Sequence, residues 1–458
     1  MSSKNVMTDG DKALTHTGDT AGVLDLDQTQ VREQQVYAPP PQLSCVLKLE
    51  ALPAHTERAA SSTSNDHVLF RVTPNPDAGA TFAAIAENPQ PINLAVVIDR
   101  SGSMEGAPLD QAKRACSALL DLMGPDDIIT LVAYSETADL IVPARRAANK
   151  ALIRESLATI KPGSTTNLLL ALRLAARQLV SVKDQATVNR ILLITDGEPA
   201  AGVKEYAAIM SQASELAARG ITISTFGLGS DYEEELLAGL AERAGGNYYH
   251  IPDVALIAEA FEREFRQIRK IVARNLQFRI HPTRGVNILR VFGHDAIYGP
   301  SSVQLKLCDL ERDANLELVC AIEFTQRPAA HYRVATAELL YDDVGTKRPE
   351  RLACELHYNF VEEADLSSSY ENTETMAAVE VAGAVQVLDM TILAIRRQGL
   401  DADAVRTQLT KVQATLRDNS RNAEADLVAS AHTAIDRGVP MSKVMMSTVF
   451  DLNQGKTS

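Results

Sequence analysis

Ile92-Asn-Leu-Ala-Val-Val-Ile98 runs without a break into Asp99-Arg-Ser101-Gly-Ser103, and this junction decides how the chain reads. So continuous an apolar run fits a strand buried on both faces, as in the interior of a parallel sheet. Its C-terminal end delivers one carboxylate and two hydroxyls into a turn, ahead of a helix opening near Pro108. An anionic oxygen beside neutral ones suits a hard cation such as magnesium or manganese rather than zinc. Downstream, Gly163-Ser-Thr-Thr166-Asn167 offers another hydroxyl at a loop-to-helix junction. Ile191-Leu-Leu-Ile-Thr-Asp196-Gly197 then ends a second buried run on another carboxylate. Three separate loops converge on one oxygen-rich point.

From 92 to 270 strand and helix patterns alternate. Strands are expected at 92–98, 128–134, 139–142, 190–195, 221–227 and 247–251. Helices are expected at 108–123, 149–160, 167–180, 203–219, 232–244 and 254–273. This alternation predicts an α/β fold, a doubly wound and mostly parallel sheet with helices on both faces. Ligands of such sheets bind beyond the carboxyl ends of the strands, where Asp99 and Asp196 both stand.

The constellation closely resembles the von Willebrand factor A (VWA) domain with its metal-ion-dependent adhesion site, in its bacterial cytosolic type. The family pattern is Asp-x-Ser-x-Ser, a distant Thr, and a distant Asp followed by Gly. The resemblance covers roughly residues 90 to 270 and implies five metal ligands: Asp99, Ser101, Ser103, Thr166 and Asp196. Thr165 is adjacent to Thr166; the latter is preferred because Thr-Asn-Leu then opens the next helix. Taken singly, each of these residues is better explained as a helix cap or turn former. Their joint occurrence, in family order, overturns that explanation. The implied ion is Mg2+, with Mn2+ or Ca2+ as alternatives. Magnesium seeks about six oxygens, so three hydroxyls and two carboxylates leave room for water or a guest. In the family that guest is a Glu or Asp of another protein. The resemblance therefore implies a non-enzymatic protein-binding or scaffold module. A metal-dependent hydrolase and a self-assembling structural protein using the same site are the competing readings.

The net charge of −14 speaks against a nucleic-acid backbone as partner, and no compact basic run appears. The N-terminus lacks a basic stretch followed by an apolar one. The most apolar segment, 376–395, carries Glu380, Gln386 and Asp389, so no membrane insertion is expected. Cys45, Cys116, Cys308, Cys320 and Cys354 are odd in number and never spaced as CxxC. They read as small buried residues of a reducing compartment, and the expected setting is cytoplasmic, with a homo-oligomer left open.

The expected organisation is a flexible N-terminal tail over 1–41, the first strands of a β-sandwich over 42–90, and the VWA domain over 91–273. The remainder of the sandwich follows over 274–362, a C-terminal helical region over 370–440, and a tail over 441–458. Alternating segments such as Cys45–Leu52, His67–Thr73, Leu276–Ile280 and Leu352–Tyr358 supply the sandwich strands. Ala378, Val381, Val385, Leu388, Ile392 and Ile395 form the seam of the first C-terminal helix, which reads as part of an antiparallel bundle. Lesser candidates read as structural. Met104-Glu105-Gly106, Ser135-Glu136 and Glu198-Pro199 are expected in turns or surface loops. Gly227-Leu-Gly229 lacks the lysine of a phosphate loop, and Asp342-Asp343 resembles a solvated turn. His250, beside Tyr248-Tyr249, reads as strand surface or core.

Overall fold

The computed structural model describes residues 45–87, 90–182, 188–197, 203–229, 232–362, 371–398, 401–437, 440–454 and 456–457. The expected tail over 1–41 and the Glu198-Pro199 turn lie outside these. The chain opens with β1 (Leu47–Pro53), β2 (Glu57–Ala59) and β3 (Ser64–Pro74), β1 and β3 pairing antiparallel. A short helix that was not anticipated, α1 (Gly79–Glu87), follows. Next come β4 (Ile92–Asp99), α2 (Ala107–Leu122), β5 (Ile128–Tyr134), β6 (Ala138–Arg146), α3 (Lys150–Ala158) and α4 (Leu168–Ser181). β7 (Val188–Thr195), α5 (Val203–Ala218), β8 (Ile221–Leu228), α6 (Glu234–Ala244), β9 (Tyr248–Ile251) and α7 (Ile257–Lys270) complete the alternation.

These strands form one sheet in the order β6-β5-β4-β7-β8-β9, parallel except for the edge strand β6. Every residue of β4, β5, β7 and β8 is buried, because helices cover both faces. Leu94, Val96 and Ile98 pack with residues of α2 and α7, whereas Ala95 and Val97 pack with residues of α4, α5 and α6. The doubly wound fold expected from the alternation is present. Two C-terminal boundaries differ by more than two residues. β6 runs on to Arg146 through Pro143, which an edge strand tolerates because its missing N–H is not needed. α7 stops at Lys270, not 273, since the β-branched pair Ile271-Val272 already belongs to β10 (Ile271–Pro282).

β11 (Val286–Val291), β12 (Ile297–Tyr298), β13 (Val303–Lys306) and β14 (Leu310–Glu311) follow. β15 (Asn315–Phe324), β16 (Ala330–Asp343) and β17 (Pro349–Val361) complete this stretch. With the opening strands they make two further, mostly antiparallel sheets, β1-β3-β15-β11 and β12-β13-β10-β16-β17-β2. Both contribute to one apolar core, in which Phe70 of β3 meets Phe278 of β10 at 5.2 Å between ring centres. The α/β unit is thus inserted between strands of two sheets that share a core.

α8 (Thr373–Gln398), α9 (Ala402–Asp418), α10 (Asn422–Asp436) and α11 (Met441–Asn453) close the chain around Leu388, Ile392, Leu409, Val412, Val428 and Met445. By length and composition Thr373–Ile395 is long and apolar enough to cross a membrane, despite Glu380 and Asp389; core helices pass the same test, and Leu388 and Ile392 are buried here. The tail expected over 441–458 is corrected: 441–453 is helical, and β18 (Lys456–Thr457) pairs with β15. Pro440 provides no side-chain cap, and polar residues interrupt the buried face, which hid the helix. All five cysteines are free, and burial pushes the Cys116 thiol up to about 12.

Candidate metal centre

Asp99, the last residue of β4, is fully buried. Its Oδ1 accepts the Ser101 backbone N–H at 2.8 Å, and its Oδ2 accepts hydroxyls from Thr195 at 2.6 Å and Tyr134 at 3.3 Å. All three donors are neutral. Burial outweighs them and raises the carboxyl above its ordinary range, a shift that a bound cation would oppose.

Beyond Asp99 the backbone makes one tight turn, Gly102–Met104, and Gly106 at φ 87° then leads into Pro108 in the first turn of α2. The turn brings Ser101 Oγ within 3.2 Å of Ser103 Oγ. Ser103 Oγ donates to Asp196 Oδ1 at 2.8 Å, tying the loop after β4 to the one after β7. Backbone bonds recruit the third loop: Gly163 N–H donates to Arg100 O at 2.5 Å and Gly102 N–H to Ser164 O at 3.0 Å. Gly163 has no room for a side chain, because a Cβ would stand 2.4 Å from Ser135 Oγ. Asn167 then caps α4, its Oδ1 accepting from Leu170 N–H at 3.3 Å.

A methyl group at Gly197 would sit 3.5 Å from Ser103 Oγ, 3.9 Å from Thr166 Oγ1 and 4.0 Å from Ser101 Oγ. Three hydroxyls from two loops therefore surround one small space beside Asp196. Ser101, Ser103, Thr166 and Asp196 line a cavity of about 800 Å³. Asp99 is not on its wall; it lies behind, bonded to the Ser101 backbone. Thr166 faces the cavity, whereas Thr165 is exposed and is not part of the lining. Among the described residues no cluster of three or more His, Cys, Asp or Glu is placed to hold a metal. A site here would rest on hydroxyls and two carboxylates, a donor set that fits a hard divalent cation.

The rest of the lining carries no motif in the sequence. Tyr232, Glu234, Pro440, Ser442 and Lys443 belong to it; Ser442 and Lys443 come from the segment read as a tail, and Pro440 is the last residue of the expected helical region. Tyr232 leaves one trace in the sequence: a Cβ at Gly227 would fall 2.4 Å from its ring, so that glycine serves close packing. Of the lesser candidates, Ser135 is buried, not in a surface loop, and Glu136 accepts from Ser164 Oγ at 2.9 Å, which steadies the Thr166 loop. His250 Nδ1 lies 2.6 Å from Tyr232 OH, and burial lowers the imidazole to about 4. The solvated turn expected at Asp342-Asp343 is corrected, because Asp343 is buried. Its carboxylate accepts the backbone N–H groups of Gly345 and Thr346 at 2.7 and 2.9 Å, and so builds the turn.

Residues 93–263 match the family model of the von Willebrand factor type A domain, and this part of the chain is a VWA domain. The uncharacterized protein YfbK of Escherichia coli strain K12 is 31% identical over 192 residues, 41% of this chain and 33% of that protein. The uncharacterized protein sll0103 of Synechocystis sp. is 24% identical over 266 residues, 55% of this chain and 62% of that one. The matches thus span less than two thirds of either relative. Among solved structures, a von Willebrand factor type A protein from Catenulispora acidiphila has a TM-score of 0.70 at 16% identity. That likeness covers 92% of this chain and 100% of the other, so the shared fold extends beyond the VWA domain.

Proposed function

We propose that the VWA domain is a divalent-cation-dependent protein-binding module, in which Asp99, Ser101, Ser103, Thr166 and Asp196 hold Mg2+ and an Asp or Glu of a partner completes the ion's shell. The observation that carries this reading is the convergence of hydroxyls on one space beside Asp196, backed by a buried Asp99 with neutral donors alone. VWA domains are commonly metal-dependent interaction modules, and the match over 93–263 supports the same class here. A ligand set rich in neutral oxygens leaves the cation electrophilic, so an incoming carboxylate is attracted to it. Binding is favoured over hydrolysis because the carboxylates facing the cavity are engaged: Asp196 by Ser103 and Glu234 by Lys443.

Titration of the full chain with Mn2+, followed by electron paramagnetic resonance, tests the ligand set. Asp99→Ala and Thr166→Ala are expected to weaken Mn2+ by about a hundredfold and about tenfold respectively, and Thr165→Ala to leave it unchanged. Affinity capture with Mg2+ or EDTA tests the partner. Recovery of the same proteins in both, and by Asp99→Ala, would overturn the reading.

A further inference from the structure

Lys443 and Tyr232 lie 211 residues apart in the chain and meet in the lining of the candidate metal-site cavity. α11 is held there from two sides. Val444, Met445 and Val449 belong to the helical core, while Met446 and Phe450 pack against the VWA core. The Phe450 ring meets Tyr248 edge-on at 5.8 Å, and Gln454 Nε2 donates to Asn247 Oδ1 at 2.9 Å. This docking makes Lys443 part of the lining of the cavity that Ser103 and Asp196 also line.

Lys443 is 4% exposed and is the one Lys or Arg among the described residues lining the cavity. Its ammonium donates to Tyr232 O at 2.5 Å and to Glu234 Oε2 at 3.1 Å, and lies 3.7 Å from the centre of the Tyr232 ring. Desolvating an ammonium and a carboxylate at this wall costs more than an apolar pair of the same volume would. Packing alone does not call for that pair. Its position does have a chemical use, since a cation in the lining of the cavity that holds the metal loops attracts anions into that space.

We propose that Lys443 is a specificity-determining residue of this cleft. A carboxylate side chain entering between the Ser103 loop and α11 is paired on its outer side by the Lys443 ammonium, in competition with Glu234. A neutral amide of the same shape gains nothing from that wall. The occupant is accordingly an acidic side chain long enough to pass α11, and Glu234 sets how much of the ammonium it meets. This inference rests on the metal-dependent reading above.

The test uses the full chain, Mn2+ as the ion and N-acetylglutamate N-methylamide as the carboxylate probe, with its glutamine counterpart as the neutral control. Relaxation of water protons at Mn2+ reports the probe's arrival. Lys443→Gln is expected to keep Mn2+ affinity within about twofold while weakening the glutamate probe about tenfold, with Lys443→Arg retaining most of the binding. Glu234→Gln frees the ammonium and is expected to tighten the probe severalfold. These opposite signs separate pairing from a packing role, which would move both variants the same way and in step with their melting temperatures. Unchanged probe affinity in both variants, or a common loss, overturns the proposal while leaving the metal reading intact. A wild-type chain that takes up no Mn2+, or whose bound Mn2+ ignores the probe, overturns both.

Discussion

Asp99 holds its carboxylate in a fully buried position, with a backbone N–H and two hydroxyls as its hydrogen-bond donors. Folding raises its pKa, so the folded chain binds that proton more tightly than the unfolded chain does. The resulting stabilisation is fully present below the ordinary carboxylate value and is lost as pH rises through the raised one. At neutral pH without metal the residue is therefore a burden, which the proposed divalent cation would relieve. Asp99→Asn keeps the shape and removes the charge. In EDTA at pH 8 it is expected to be as stable as wild type or more so, by up to about 2 kcal/mol, with the gain disappearing toward pH 4. It is expected to bind no Mn2+. Urea unfolding at both pH values measures this, and a less stable variant at pH 8 would mean that the carboxylate is already compensated without an ion.

At the scale of elements, the strands that carry the site were the most legible part of the chain. Apolar runs such as Ile92–Ile98 and Ile191–Ile194 suit a strand buried on both faces and little else; β4 ends on Asp99, and Asp196 directly follows the last residue of β7. β6 read short because Pro143 breaks the pattern, and α7 read long because apolar residues continue past Lys270. What no pattern announced is the polar cluster at the other end of the sheet. Arg190, near the start of β7, bonds Glu264 of α7 at 2.6 Å, Asp309 at 2.9 Å and Thr222 of β8 at 2.7 Å. Glu264 also accepts from Ser224, Asn247 and Tyr249 at 2.6, 2.7 and 2.7 Å, and the Arg190 charge holds its carboxyl below the ordinary range. Charged residues read one at a time give no hint of such company. Arg190→Met would leave two buried carboxylates without their cation and is expected to cost about 3–5 kcal/mol. Because the cluster lies away from the Asp196 end of β7, Mn2+ affinity of the folded fraction should change by no more than about twofold. A large loss of affinity would show that the two ends of the sheet are coupled.

Across the whole molecule, α11 is where three bodies meet. It packs in the helical core through Val444 and Met445, touches the VWA domain through Met446, Phe450 and Lys443, and is followed by β18 on β15 of the antiparallel sheets. Its sequence, Met441-Ser-Lys-Val-Met-Met-Ser-Thr-Val-Phe450, is too short and too mixed in polarity to declare a helix by itself. The part of the cleft that Pro440, Ser442 and Lys443 supply was therefore invisible, since a lining made by segments far apart in sequence exists only once the parts have docked. The five proposed oxygen ligands, by contrast, sit in local motifs that survive reading one loop at a time. If the docking is shared between two cores, loosening one contact should free α11 locally without unfolding the sheet. Phe450→Ala removes the ring that meets Tyr248, which is expected to cost about 1–3 kcal/mol for a half-buried aromatic. Hydrogen exchange should then quicken over 440–454 while β4 and β7 stay protected. Carboxylate-probe affinity should fall with it, because Lys443 is no longer held in the lining of the cleft, whereas Mn2+ affinity should not. Unaltered exchange over 440–454 would mean that the helical core alone fixes α11, and that the wall of the cleft does not depend on its contact with the VWA domain.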